Sequence, residues 1–253
     1  MDERVQKILA QWGIASRRRA EQMILDGRVE VNGAIAHLGQ KADPAGDRIA
    51  VDGQPIQPIQ RPKLLYLLLH KPRGVISTCA DPQGRRTVLD LLPPALQDGT
   101  GLHPVGRLDT DSTGALLLTN DGNLTFALTH PSHQIPKHYR VWVEGRPPEA
   151  VLRQWRTGVM LEEGLTQPAE VQVLRQTATA TLLAIDLREG RNRQIRRVAE
   201  QLGYPVQSLH RIAIGPIHLG NLALGQHRPL TDPELDVLQT QAVGFLQRPN
   251  QIE

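Results

Sequence analysis

Cysteine and aromatic rings are scarce in this 253-residue chain: one cysteine, two Phe, three Tyr and three Trp. A single cysteine, Cys79, forms no internal disulfide, which suits a reducing compartment. Its setting, T-C-A-D-P, lacks CxxC or Cys/His spacing, so a buried or incidental thiol is read ahead of a nucleophile or metal ligand. With aromatics at 3%, a broad stacking platform for single strands is excluded. Long apolar runs are missing too. The stretch L-L-Y-L-L-L at 64–69 is far too short to span a bilayer. The opening M-D-E-R-V-Q-K-I-L-A-Q-W-G is charged and helix-like, unlike a secretory leader. A soluble, cytoplasmic protein without a membrane partner is expected.

What is present is an ordinary hydrophobic fraction of 40%, enough for a sizeable core, and a slight excess of positive charge, +3. That balance suggests an anionic partner such as nucleic acid without establishing one.

Residues 1–60 read as a unit. Val5, Ile8, Leu9 and Trp12 recur at helical spacing up to Gly13. Ser16 is placed to cap a second helix that Gly27 ends. V-E-V-N-G-A-I then carries the Asn32-Gly33 pair of a tight hairpin, and a further strand is expected at 49–53. Three prolines in Q-P-I-Q-P-I-Q-R-P-K mark 54–63 as a linker. Beyond it, strands are expected at 64–70, 115–119, 138–144, 170–175, 179–187 and 208–214. Helices are expected at 121–129, 148–157, 192–202 and 232–242. Many strands with few intervening helices give an α+β fold around a mainly antiparallel mixed sheet flanked by helices.

Three stretches carry chemistry. G-R-L-D-T-D-S-T-G-A-L-L-L-T-N-D-G at 106–122 holds Arg107, Asp109, Asp111 and Asp121 around a leucine run that reads as a buried strand. Asp121 looks like a helix cap, and Asp111 looks like turn chemistry. Asp109 is either a salt-bridge partner or a reacting carboxylate. L-R-E-G-R-N-R-Q-I-R-R at 187–197 places Arg188, Arg191, Arg193, Arg196 and Arg197 where a strand meets an amphipathic helix. They either hold phosphate or a carboxylate, or form a solvated face. In K-H-Y-R-V-W-V at 137–143, Tyr139 is a core residue or the cap of a pocket. The triplet Arg17-Arg18-Arg19 at a helix start favours phosphate, although residues 1–60 are balanced at eight basic and eight acidic side chains. Arg28 either joins it or braces the hairpin.

The order W-G-I-A, S-R-R-R-A-E and I-L-D-G-R-V-E-V-N-G resembles the small RNA-binding module of ribosomal protein S4. The three motifs above, with K-P-R-G-V-I-S-T-C-A-D-P-Q-G-R-R at 71–86, resemble ribosomal RNA pseudouridine synthases of the branch that carries this module. Ser112 and Ala115 depart from that pattern without removing a functional group.

The resemblance implies an S4-type domain over 1–58 and a catalytic domain over 63–245. It implies isomerisation of a specific uridine in ribosomal RNA, with the large subunit slightly favoured. Asp109 would be the essential carboxylate, as nucleophile at C1′ or base at C2′. Either role needs the ionised form, and Arg196 would be its basic partner. Arg107 would fill the space left by the flipped nucleotide, and Tyr139 would stack on the uracil. Ile195 and Leu209 would be pocket walls. Lys7, Arg17, Arg18, Arg19, Arg28, Lys71, Arg73, Arg188, Arg191, Arg193 and Arg197 would contact RNA. The partner would be ribosomal RNA or a subunit precursor, met as a monomer. No cofactor or metal is expected: there is no P-loop and no ligand spacing. Two rivals remain, a non-catalytic RNA-binding assembly protein and a hydrolase pairing Asp109 with Asp111, whose product would be free uracil.

Overall fold

The computed structural model describes residues 2–56 and 62–246. The N-terminal part opens with helices Val5–Gln11 and Arg17–Leu25. The Ser16 hydroxyl accepts from the Arg19 amide at 3.3 Å, so the cap expected there forms. Strands Ala34–Ile35, Val29–Val31, Ile49–Val51 and Gln54–Ile56 follow in that spatial order, all antiparallel. Asn32 and Gly33 take φ values of 54° and 82°, and Asp52 and Gly53 repeat the pattern at 51° and 74°. That second turn corrects the linker reading. Residues 54–56 are a strand of the small sheet, with Pro55 tolerated because the strand lies at the edge. Residues 57–61 lie outside the described residues. Val5, Ile8, Leu9 and Trp12 pack with Met23, Ile24, Val29 and Ile49 into a core of their own.

The remainder is built on a nine-stranded sheet. Its main path runs Glu170–Gln176, Ala180–Leu187, Lys137–Glu144, Val206–Ile214, Thr113–Thr119, Tyr66–Lys71 and His227–Pro229. All pairings in this sheet are antiparallel except 206–214 against 113–119, which is parallel and pairs Arg211 with Gly114. Helices Gly122–Thr129, Glu149–Thr157, Gln194–Gln201 and Asp232–Leu246 cover it. The fold is thus α+β with an antiparallel-rich sheet.

The leucine run of 116–118 is fully apolar because both faces of its strand are covered. Leu117 joins Leu68, Leu124, Leu128 and Leu238 on one side. Leu116 and Leu118 join Leu67, Leu69, Val75 and Val88 on the other. A third core, with Val141, Val143, Trp155, Ile185 and Val198, lies over the other half of the sheet. Asp121 caps the 122–129 helix, accepting from the amides of Asn123 and Leu124. Among the described residues, no helix is long and apolar enough to cross a membrane.

Candidate active site

The residues 105–112 form a loop that delivers Asp109 to the junction of the two sheet halves. Leu108 is 6% exposed and anchors the loop in the core that includes Tyr139, Ile195 and Leu209. Its neighbours Arg107 and Asp109 therefore emerge at the surface, as alternation along an extended segment requires. The backbone is pinned from several directions. Ser77 Oγ donates to the Leu108 carbonyl at 2.7 Å and accepts from the Leu108 amide at 3.1 Å. The Ser112 amide donates to the Asp109 carbonyl at 3.0 Å.

Lys71 completes the clamp, and this corrects its reading as a phosphate contact. It is fully buried, and its Nζ donates to the carbonyls of Pro72, Asp109 and Ser112, each at 3.0 Å. Burial pushes its amine down to about 8, against the pull of Asp109 and Asp111. No side of it is left for RNA.

Arginines of the 188–197 segment reach across to this loop. Arg193 holds the left-handed conformation, φ 47°, at the start of the 194–201 helix. An arginine at positive φ is uncommon, and such strain gathers at functional sites. Its guanidinium binds both Asp111 oxygens at 3.1 Å and lies 3.8 Å from Asp109 Oδ2. Arg196 donates to the Asp111 carbonyl at 3.1 Å and Ser112 Oγ at 3.3 Å, with its Nε 3.3 Å from Asp111 Oδ2. The pairing differs from the expected one: among the described residues, Arg193 and not Arg196 is the arginine in ion-pair range of Asp109. Asp111 is more than a turn residue, since it anchors both guanidiniums. Burial raises its carboxyl, but the Arg193 hydrogen bond and the two arginine charges win and hold it below the usual range.

Other predicted contacts are already engaged. Arg191 binds Glu189 and the carbonyls of Gly164 and Leu165, locking its loop onto the 160–165 hairpin. Arg197 pairs with Glu163 at 2.8 Å. Arg28 makes a two-pronged bond to Asp52 at 2.8 and 2.6 Å, so it braces the small sheet. Lys7 pairs with Glu3 at 3.2 Å. Arg17, Arg18 and Arg19 are exposed and pair with no carboxylate among the described residues. Arg73 and Arg188 are likewise exposed.

Two clefts meet at Arg107, Leu108 and Asp109. The inner one, about 290 Å³, is walled by Tyr139, Ile195, Leu209 and Ile214, with Arg196 and Arg188 beside them. Tyr139 is both core and wall, 8% exposed. The outer one, about 670 Å³, brings Arg18 of the N-terminal part next to Arg73, Arg107 and Arg193. The inner cleft also contains Lys137 and Arg211, which sequence reasoning missed. Lys137 heads the K-H-Y-R-V-W-V stretch, whereas no motif surrounds Arg211.

The chain matches the family model for RNA pseudouridylate synthase over residues 65–201 and the S4 domain model over residues 3–49. It is similar to an uncharacterized RNA pseudouridine synthase of Mycobacterium tuberculosis, with 43% identity over 96% of this chain and 94% of the relative. It is also similar to the ribosomal large subunit pseudouridine synthase B of Bacillus subtilis, at 41% identity over 95% and 97%. A crystal structure described as a pseudouridylate synthase superposes with a TM-score of 0.68, at 30% identity, covering 93% of this chain and 99% of that one.

Proposed function

The chain belongs to the RNA pseudouridylate synthase family, and from that premise we propose that it isomerises one uridine of large-subunit ribosomal RNA, with Asp109 as the reacting carboxylate. The observation that carries this reading is the placing of Asp109. It stands at the mouth of an apolar-walled cleft, on a loop pinned by Lys71 and Ser77, with Arg193 3.8 Å from its carboxylate. The name of the Bacillus subtilis relative favours large-subunit RNA.

A uridine in structured RNA must leave the stack to enter such a cleft. Arg107, exposed at the rim, takes the vacated place, where its planar guanidinium stacks on neighbouring bases. Tyr139 stacks on the uracil between the walls set by Ile195 and Leu209. Asp109 then acts on the ribose, as nucleophile at C1′ or as base at C2′. Arg196 works indirectly: it fixes the 111–112 backbone and adds positive charge near Asp109. Arg17, Arg18, Arg19, Arg73 and Arg188 hold backbone phosphate, adding affinity rather than sequence choice.

The test is release of tritium from uridine labelled at C5 in ribosomal RNA. Release with pseudouridine as product is expected. Bound RNA without release would instead identify a non-catalytic RNA-binding protein, and free uracil would identify a hydrolase.

A further inference from the structure

The inner cleft holds more positive charge than its carboxylates balance. Arg211 is 3% exposed. Its Nε donates to the Ala115 carbonyl at 2.7 Å and its Nη1 to the Arg107 carbonyl at 3.4 Å, while Nη2 is buried without a hydrogen-bond partner among the described residues. Tyr139 is its direct partner on the neighbouring strand, and Lys137 stands two residues before Tyr139 on that strand's same face. Lys137 Nζ donates to the Ile135 carbonyl at 3.0 Å. Neither cation pairs with a carboxylate among the described residues. Burial and the Arg211 charge push the Lys137 amine down to about 8.

An unpaired buried charge and an unused buried donor both cost free energy. Such groups persist where a ligand supplies the missing acceptor. The walls beside them, Ile135, Leu187, Leu209 and Ile214, suit a flat base rather than a hydrated phosphate.

We propose that Arg211 and Lys137 bind the uracil oxygen that becomes negatively charged when the base separates from its sugar. The proposal rests on the isomerase reading above. When the C1′–N1 bond breaks, its electron pair leaves with the ring, and the charge spreads onto O2 and O4. After the ring turns, C5 supplies the pair that bonds C1′. The C5 proton is then lost and N1 gains one, so the balance closes without a redox partner. Donors fixed where charge develops lower the barrier without tightening binding of the starting uridine.

The test compares Lys137→Gln and Arg211→Lys with wild type in single-turnover tritium release at saturating ribosomal RNA. Each variant is expected to slow release by about 100-fold or more, with RNA affinity and its salt dependence unchanged. An unchanged rate overturns the proposal. So does a defect confined to affinity with a shallower salt slope, which would mark a phosphate contact instead. Arg211 also clamps Ala115, so if Arg211→Lys does not fold, Lys137→Gln decides alone. If wild type releases no tritium, the isomerase reading falls and takes this one with it. Active wild type with fully active variants removes this proposal only.

Discussion

The backbone of Arg211 occupies the space where a side chain on Gly114 would stand. A Cβ there would lie 2.1 Å from the Arg211 carbonyl oxygen and 2.6 Å from its amide nitrogen. Gly114 also sits at φ 118°. Glycine is required on both counts, because both obstacles are backbone atoms of the one parallel strand pair in the large sheet. Gly114→Ala is expected to destabilise the fold by roughly 3 kcal/mol, the upper end of what overpacking costs. Gly33→Ala, with open space around it, should cost only about 1 kcal/mol through its positive φ. Urea midpoints of the two variants check the contrast.

Asp109→Asn keeps the shape of the loop and removes the charge of the proposed reacting carboxylate. Tritium release should fall by at least about 100-fold, while RNA affinity measured by filter binding stays near wild type. Asp111→Asn should act differently. It loosens Arg193 and Arg196 together, so release is reduced but not lost. Equal activity of Asp109→Asn and wild type would refute the assigned role.

Lys71→Met leaves three carbonyls without their donor, including that of Asp109. A loss of about 3 kcal/mol or more in stability is expected, since each unsatisfied buried group costs about 1–3 kcal/mol. Denaturant unfolding measures it. A stable variant with weakened RNA binding would return Lys71 to a phosphate role.

The Arg17/Arg18/Arg19→Ala triple variant should bind ribosomal RNA more weakly, with a salt slope shallower by about 2. Arg28→Ala should leave that slope alone and lower thermal stability, because its guanidinium is spent on Asp52. Titrating binding against salt separates the two roles.

Arg228 holds Glu234 at 2.7 Å, and that hydrogen bond, joined by donors from Thr231, pulls the carboxyl down to about 2 against burial. The folded value is lower than the unfolded one, so the stabilisation is complete above about pH 4.5. It drains away as pH falls towards 2. Glu234→Gln should therefore be less stable than wild type at neutral pH, and the gap should close between those limits. Unfolding midpoints across pH 2–5 provide the check.

Much of the frame was legible because its signals are local. The 3.6-residue spacing of Val5, Ile8 and Leu9, the Asn32-Gly33 turn and the Asp121 cap each depend on a few adjacent residues. The leucine run read correctly as a buried strand. Lys71 misled because lysine is almost never fully buried, and its three acceptors lie at 72, 109 and 112. Asp111 was underrated because the arginines that bind it come 82 and 85 residues later. Arg211 was invisible for the same reason: Ala115 and Arg107 lie 96 and 104 residues before it. Pattern alone left Asp109 and Tyr139 undecided; the family resemblance singled them out, and the structure sets both against the inner cleft.

The parallel pairing of 113–119 with 206–214 has a consequence in time. Contacts between distant segments form slowly, since a long loop must close before they repay its entropy. Asp109 is synthesised early, yet Arg193 arrives 84 residues later and Arg211 later still. A growing chain can therefore bury its N-terminal core while the cleft remains unassembled. The cleft is complete only once the strand ending at Ile214 has docked beside Gly114.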